Sequence, residues 1–218
     1  MVNWKRMELK TFPVGNKELP EKFRPIIEYA RQKIMAYGIR NFTVEKFVSD
    51  LHISKKTIYK YFSTKEEFIE AVLFYNYDEL FSSVDAIQPD DKDPLKTVFM
   101  VLQEIFNNIS KMSSELVYDV KLFYPKVWNS IEKFREEVID KIYNSFIIAQ
   151  GMGLIRKDID LKFNANLIMQ IVQTVFQPEF LICSSYSLSD IIKMFIDLMM
   201  NGLMEKDKSF DFSIIEDK

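Results

Sequence analysis

The sequence predicts an all-α fold of about nine helices, arranged as a small N-terminal module followed by a larger helical domain. Three observations carry this prediction. Apolar residues recur at three- and four-residue spacing along most of the chain, as expected for helices with one buried face. The 218 residues include only five glycines. No run of strictly alternating polar and apolar residues between turn signals points to a strand.

Composition limits the function classes that remain open. The hydrophobic content of 48% is typical of a soluble globular protein. No apolar run approaches the roughly 18 residues of a membrane span, and the start MVNWKRMELK lacks a signal-peptide h-region. These features predict a cytoplasmic protein without a membrane partner. Cys183 and His52 are the only residues of their types, so neither a disulfide nor a Cys/His zinc site can form within one chain, and no cofactor is predicted.

Charge is divided unevenly along the chain. Residues 1–66 hold 14 Lys/Arg and 7 Asp/Glu, a net charge of +7, whereas residues 67–218 carry −10, which gives −3 in total. A basic module on an acidic body suggests a polyanionic partner for the front of the chain, with nucleic acid as the leading candidate. Chance segregation of charge, or docking of the two surfaces on one another, is the alternative.

The first helix follows an extended arm, residues 1–20. Its start is predicted between Pro20 and Arg24, because Pro25 is tolerated only near the beginning of a helix. Gly38 is predicted to end it as a left-handed C-terminal residue. Its apolar stripe consists of Phe23, Ile26, Ile27, Ala30 and Ile34.

Two short helices and a longer one come next, each with a start signal. Thr43 is predicted to cap the helix VEKFVSDL, with Glu45 in its favourable first turn. Ser54 is predicted to cap the following helix in the same way. Thr64 and Glu67 have the spacing of a capping box that opens the fourth helix.

Only about three residues, HIS, separate the second and third helices, which is the tight turn of a helix-turn-helix. His52 falls where this turn needs a left-handed backbone, a conformation that His tolerates better than most other residues. A turn role is therefore favoured for His52 over a catalytic or metal-binding role.

The third helix separates buried and basic residues. At about 100° per residue, Ile58 and Phe62 share one face, while Lys56 and Lys60 stand nearly opposite. Like charges four residues apart disfavour a helix by roughly 0.2 to 0.5 kcal/mol, and lysines in the first turn oppose the helix dipole. Helix stability therefore does not account for Lys55, Lys56 and Lys60, whereas a DNA major groove does, because it admits one helix and its phosphates attract lysine.

The segment FTVEKFVSDLHISKKTIYKYFSTKEEF, residues 42–68, resembles the DNA-binding signature of the TetR (tetracycline-repressor) family of bacterial regulators. The motif T-I-Y-x-Y-F-x-x-K-E carries most of the resemblance, because it combines a buried face, a binding face and the start of the next helix. Val48, His52, Lys56 and Lys60 depart from the usual Ala, Gly, Gly and His. The two lysines make the proposed reading face more basic than usual.

This resemblance implies a set of DNA-contacting residues. Thr43 and Ser54 are expected to bind phosphate, Tyr61 and Lys65 to reach further phosphates, and five residues to line the groove-facing side: Lys55, Lys56, Thr57, Tyr59 and Lys60. Core packing is the alternative for Tyr59 and Tyr61. The arm with Lys5, Arg6, Lys10 and Lys17 could add phosphate or minor-groove contacts, and a disordered terminus is the alternative.

Beyond Leu80 the acidic, proline-containing stretch SVDAIQPDDKDPL, residues 83–95, predicts a connection between domains. The predicted organisation is an arm at 1–20, a helix-turn-helix DNA-binding domain at 21–82, a helical domain at 95–206 and a tail at 207–218. Within the helical domain, helices are predicted at 95–111, 115–123, 125–150, 163–181 and 188–205. The glycines of GMGLIRKDIDL mark the break before the last two.

The last two helices are apolar over more of their circumference than a surface helix should be, with small Ala165 and Gly202 available for close approach. The family resemblance implies that they pair with their twofold mates in a homodimer. An ordinary internal core is the alternative.

The middle helices are expected from the resemblance to hold a pocket for a small lipophilic effector. Aromatic and methionine side chains supply suitable apolar walls, although such residues at helical spacing are usually core. The candidate pocket residues are Phe99, Phe106, Tyr118, Phe123, Trp128, Phe146 and Met169.

The function that these features predict is a ligand-responsive homodimeric repressor on a palindromic DNA operator. A helical ligand-binding or scaffolding protein whose basic module contacts another protein is the alternative. An enzyme is not predicted, because the sequence has no P-loop, G-x-G-x-x-G, G-x-S-x-G or H-E-x-x-H motif.

Overall fold

The computed structural model describes residues 19–20, 23–109, 112–164, 167, 170–171 and 185–204. The all-α prediction is confirmed. Within the described residues the only extended pairing is an isolated antiparallel bridge between Ile155 and Met204. The helices with defined bounds are α1 (Arg24–Tyr37), α2 (Val44–Asp50), α3 (Lys55–Tyr59), α4 (Lys65–Ala86), α5 (Pro94–Ile109), α6 (Ser114–Phe123), α7 (Pro125–Gly151) and α8 (Leu188–Leu203).

The chain divides into two compact units, residues 1–79 and residues 80–218, which we call the head unit and the body unit. The boundary lies within α4, which spans Lys65–Ala86. None of the helices in the described ranges is long and apolar enough to cross a membrane.

The head unit is built around aromatic side chains. Phe68 on α4 packs against Phe42, Phe47 and Phe62, with ring centroids 5.1 to 6.0 Å apart. All four side chains are buried. Because these residues come from α2, α4 and the loops that flank α2 and α3, this cluster fixes the short α2 and α3 against the much longer α4.

Helix α1 begins and ends close to where the sequence predicts. It starts at Arg24 with Pro25 in its first turn, and its apolar stripe buries Ile27, Ala30 and Ile34. Gly38 follows with φ of +78°, and its N–H bonds to the Ile34 carbonyl, as expected of a glycine that ends a helix.

The predicted connection at residues 83–95 begins four residues too early, whereas its end is within one residue of the start of α5. Helix α4 continues to Ala86, and α5 already begins at Pro94. The polar residues after Leu80 suggested a linker, but Leu80 and Val84 lie one helical turn apart and are both buried in the body core. Burial of that apolar pair keeps the last turn of α4 helical despite its polar neighbours.

The body core is formed mainly by α5 and α7, joined by α4 and α8. Helix α7 contributes its buried face, which includes Val138, Ile142 and Phe146. Phe81 on α4 stacks on Phe134 of α7 with centroids 4.1 Å apart. After α7 the chain turns at Gly153, φ +72°, and the Gln150 side chain holds the following loop through the carbonyls of Arg156 and Ile159.

Candidate nucleic-acid interface

The turn between α2 and α3 has the tight geometry that the sequence predicts. His52 adopts φ of +54° and is the only non-glycine residue with positive φ in the described ranges. The amides of His52 and Ile53 donate back to the carbonyls of Ser49 and Val48, at 3.1 and 3.0 Å. The predicted turn role of His52 is confirmed. The turn sets the direction in which α3 leaves α2.

The start of α3 is capped by Ser54. Its Oγ accepts from the Thr57 amide at 3.2 Å and lies 3.1 Å from Thr57 Oγ1. Thr43 occupies the corresponding position before α2 with an extended backbone, but its side chain makes no capping hydrogen bond. The capping role predicted for Ser54 is therefore confirmed and the one for Thr43 is wrong, so the exposed Thr43 hydroxyl is not used by the helix end.

Helix α3 has five residues. Its hydrogen bonding continues through Phe62, whose amide donates to the Ile58 carbonyl. Ile58 and Phe62 are fully buried. The side chains of Lys55, Lys56 and Lys60 are exposed and Thr57 is partly buried. The predicted division into a buried and a basic face is thus present.

The two tyrosines of this segment have different surroundings. Tyr59 is 43% exposed and belongs to the basic surface. Tyr61 is partly buried, and its ring packs on Phe23 with centroids 4.7 Å apart. The ammonium of Lys60 lies 5.6 Å from the centre of the Tyr61 ring. The ring of Tyr61 therefore packs on the core, which is the alternative that the sequence left open for this residue.

The start of α4 places Lys65 beside this surface, where it is partly exposed. Thr64 Oγ1 accepts from the Glu67 amide at 3.0 Å, as predicted for a cap. The carboxylate of Glu67 reaches back to the amide of Ser63, whereas a capping box would engage Thr64 itself. The reciprocal bond of the predicted capping box is therefore displaced by one residue. The amides of Ser63 and Glu67 both have acceptors.

An ion pair that sequence reasoning missed links α2 to α3. The ammonium of Lys55 donates to the carboxylate of Glu45, and both side chains are exposed. This hydrogen bond is the main cause that lowers the pKa of Glu45 and raises the pKa of Lys55. The two residues are ten apart and lie on different helices, so no helical spacing rule reveals the pair; only the turn brings them together.

The predicted effector-pocket residues differ in how deeply they are buried in the body unit. Phe99 and Phe146 are buried, and Phe146 belongs to the main core. Tyr118 and Trp128 are partly buried, whereas Phe123 is 56% exposed. The side chain of Phe106 and the whole of Met169 lie outside the described residues.

Together, the fold and this surface define a helix-turn-helix DNA-binding protein: a short second helix, a left-handed turn, and a capped third helix with lysines on its exposed face. Residues 26–72 match the family described as bacterial regulatory proteins, tetR family. The head unit therefore contains a helix-turn-helix domain of the TetR family, and the chain is a DNA-binding transcriptional regulator.

Whole-chain relatives agree with this class. The Bacillus subtilis proteins YvaF and YuxN, both described as uncharacterized HTH-type transcriptional regulators, are 20% and 26% identical to this chain. The matches cover 75% of this chain and 86% of YvaF, and 88% of this chain and 68% of YuxN.

A solved structure from Saccharomonospora viridis, described as a transcriptional regulator in complex with choline, has the same fold. It aligns with a TM-score of 0.59 at 17% identity, over 85% of this chain and 99% of its own. The two Bacillus subtilis proteins are described as transcriptional regulators, and the likeness to the solved structure shows the fold.

Proposed function

We propose that this regulator is a homodimeric repressor that binds a palindromic operator and releases it when a small lipophilic molecule binds the body unit. The observation that carries the proposal is the exposed lysine face of α3, opposite fully buried Ile58 and Phe62. A cytoplasmic location follows from the DNA partner.

The proposed DNA contacts divide by chemistry. Lysine side chains and exposed hydroxyls are suited to phosphate oxygens, which position the protein, whereas groups on the α3 face can reach base edges. We assign phosphate contacts to Thr43, Ser54, Tyr61 and Lys65. The groove-facing set is Lys55, Lys56, Thr57, Tyr59 and Lys60.

A homodimer is supported by the exposed apolar side chains near the end of the chain. On α8, Met194 and Leu198 lie one turn apart and are exposed, Leu198 by 73%. Phe163 and Leu167, in the segment predicted as the preceding helix, are also exposed. Burial of these side chains against a second copy would remove them from water. Two recognition helices about 34 to 36 Å apart would then read two half-sites of a palindrome.

An effector site in the body unit is the third part of the proposal, with the seven residues Phe99, Phe106, Tyr118, Phe123, Trp128, Phe146 and Met169 as its candidates. The choline complex of the Saccharomonospora viridis protein supports the idea that this fold can hold a small molecule. The effector would favour a dimer whose reading helices have the wrong separation for the operator. By linkage, operator DNA must then weaken effector binding by the same factor.

The test of the proposed function is DNA binding by the full chain. Footprinting on DNA that flanks its gene should protect a palindromic segment. Fluorescence anisotropy on that segment should show affinity that falls steeply as salt rises, because bound lysines release condensed counterions. Binding that is indifferent to salt, or a footprint without a repeated half-site, would contradict the proposal and favour a protein partner.

A further inference from the structure

An acidic side chain stands inside the basic surface of the head unit. Glu45 is the second residue of α2, and its side chain is 67% exposed. Across the turn its carboxylate accepts a hydrogen bond from Lys55, the first residue of α3. Lys65, at the start of α4, is close enough to help lower the pKa of Glu45.

The Glu45–Lys55 pair has no evident role in folding. Both side chains are exposed, and pairs of exposed charges contribute little to stability. Glu45 is already favoured by the positive end of α2, and its pKa is lowered by its own backbone amide as well as by Lys55. The pair instead limits the availability of Lys55 for DNA, because its ammonium is already hydrogen-bonded to Glu45 in the free protein.

We infer that Glu45 is a selectivity residue. Its carboxylate binds the Lys55 ammonium in the free protein, in the place that a DNA phosphate takes in the complex, and must release that ammonium when the duplex binds. This inference rests on the proposed DNA contacts of α3. In the free protein the carboxylate satisfies the lysine. In the complex the lysine moves to a phosphate oxygen, and Glu45 remains beside the polyanion.

The cost of this exchange depends on the DNA sequence. On arbitrary DNA, affinity comes almost entirely from phosphates, so Lys55 leaves for a phosphate and the Glu45 carboxylate loses its lysine partner. At a matching site the major groove can offer a base amine, the N4 of cytosine or the N6 of adenine, and a carboxylate is suited to accept from such a donor. Glu45 would then penalise non-specific binding more than operator binding.

The experiment compares Glu45→Gln with the unaltered protein, on operator duplex and on a scrambled duplex of equal length, across a salt series. We expect Glu45→Gln to bind the scrambled duplex about three- to tenfold more tightly near 0.1 M salt. The slope of log affinity against log salt should steepen by about one unit, because the variant complex has no unpaired Glu45 carboxylate to take up a cation. The ratio of operator to scrambled affinity should fall.

Two further variants isolate the pair. In a Lys55→Gln background, the change Glu45→Gln should lose most of its effect, because the lysine that it releases is absent. Glu136→Gln on α7 removes the same charge from an exposed site of the body unit and should leave both affinities unchanged.

The outcomes are separable from those of the proposed function. If the unaltered protein binds DNA with strong salt dependence but Glu45→Gln behaves identically, the selectivity role is wrong and the DNA-binding function stands. An effect of Glu45→Gln that persists in full without Lys55 would also overturn it, because general charge repulsion would then suffice. Salt-insensitive binding by the unaltered protein would instead contradict the proposed function itself.

Discussion

His52 shows how a single backbone angle affects the geometry of the proposed DNA-binding surface. Its φ of +54° lies in the left-handed region, which is costly for a residue with a branched Cβ. We therefore expect His52→Val to destabilise the protein by about 1 to 2 kcal/mol, measured by urea unfolding. His52→Asn is the matched control and should be nearly neutral, because Asn enters this region readily. Equal destabilisation by both variants would mean that the imidazole, and not the angle, is needed.

The lysines proposed to contact DNA give a second prediction about single residues. Lys65→Ala should weaken binding to all duplexes alike and flatten the salt slope by about one unit, because one phosphate contact is lost. Lys96→Ala removes an exposed lysine from α5 in the body unit and should leave the slope unchanged. Anisotropy titrations at several salt concentrations measure both. An unchanged slope for Lys65→Ala would remove Lys65 from the phosphate contacts.

At the scale of the helix, the two cap positions of the reading motif offer a matched comparison. Ser54 makes a capping hydrogen bond at α3 and Thr43 makes none at α2. Ser54→Ala should cost about 1 kcal/mol of unfolding free energy, whereas Thr43→Ala should cost little. Both should still weaken DNA binding if their hydroxyls contact phosphate. A stability loss at Thr43 as large as at Ser54 would contradict the difference in capping.

Helix α4 carries a carboxylate whose surroundings oppose its charge. Burial raises the pKa of Asp78 above its ordinary value. The folded state therefore holds this proton more tightly than the unfolded chain, and the contribution of Asp78 to stability falls as pH rises from the ordinary to the raised pKa. Above the raised pKa, the ionised carboxylate lowers the free energy of unfolding by an amount that no longer changes with pH. Asp78→Asn should therefore raise the urea midpoint at pH 7, and the gain should shrink towards pH 4. A gain that does not depend on pH would exclude the carboxylate charge as its cause.

The positions of the helices were largely predictable from the sequence. Where the prediction failed, the cause is a contact between residues that are distant in the sequence. Proline and glycine signals placed the start and end of α1, because these residues act through their own backbone. The end of α4 was not predictable, since Val84 is held by the body core rather than by local sequence. The Glu45–Lys55 pair was missed for the same reason, because the turn at His52 brings the two residues together.

Across the whole molecule, the sequence predicted the class of protein better than the details of its body unit. The reading motif combines caps, a turn and a buried face within 27 residues, so it is recognisable locally. The pocket candidates share only residue type and helical spacing, which a core also requires. Phe146 is part of the main core and Phe123 lies largely in solvent, a difference set by how α6 and α7 pack. The residues that would hold an effector therefore depend on packing that no short motif records.

The dimer proposed above yields a prediction for the complete molecule. Leu198 is 73% exposed on α8, one turn from exposed Met194, and we expect a second copy to cover both. Leu198→Asp would bury a charge in that interface, which is strongly unfavourable, so light scattering should show a monomer at concentrations where the unaltered protein is dimeric. The monomer should lose most of its affinity for a two-half-site duplex, because two linked reading heads bind far more tightly than one.

The control for this prediction is Leu122→Asp, which makes the same change at another exposed leucine, on α6. It should remain dimeric and keep its affinity for the palindrome, because it lies outside the proposed interface. For a duplex with a single half-site, the affinity of each head unit should be nearly the same in the Leu198→Asp monomer and in the unaltered protein. The proposed DNA-contacting residues are the same in both. A Leu198→Asp protein that stays dimeric would place the interface elsewhere. A monomer that still bound the palindrome as tightly as before would show that each head acts alone, and symmetric operator recognition would then need a different physical basis.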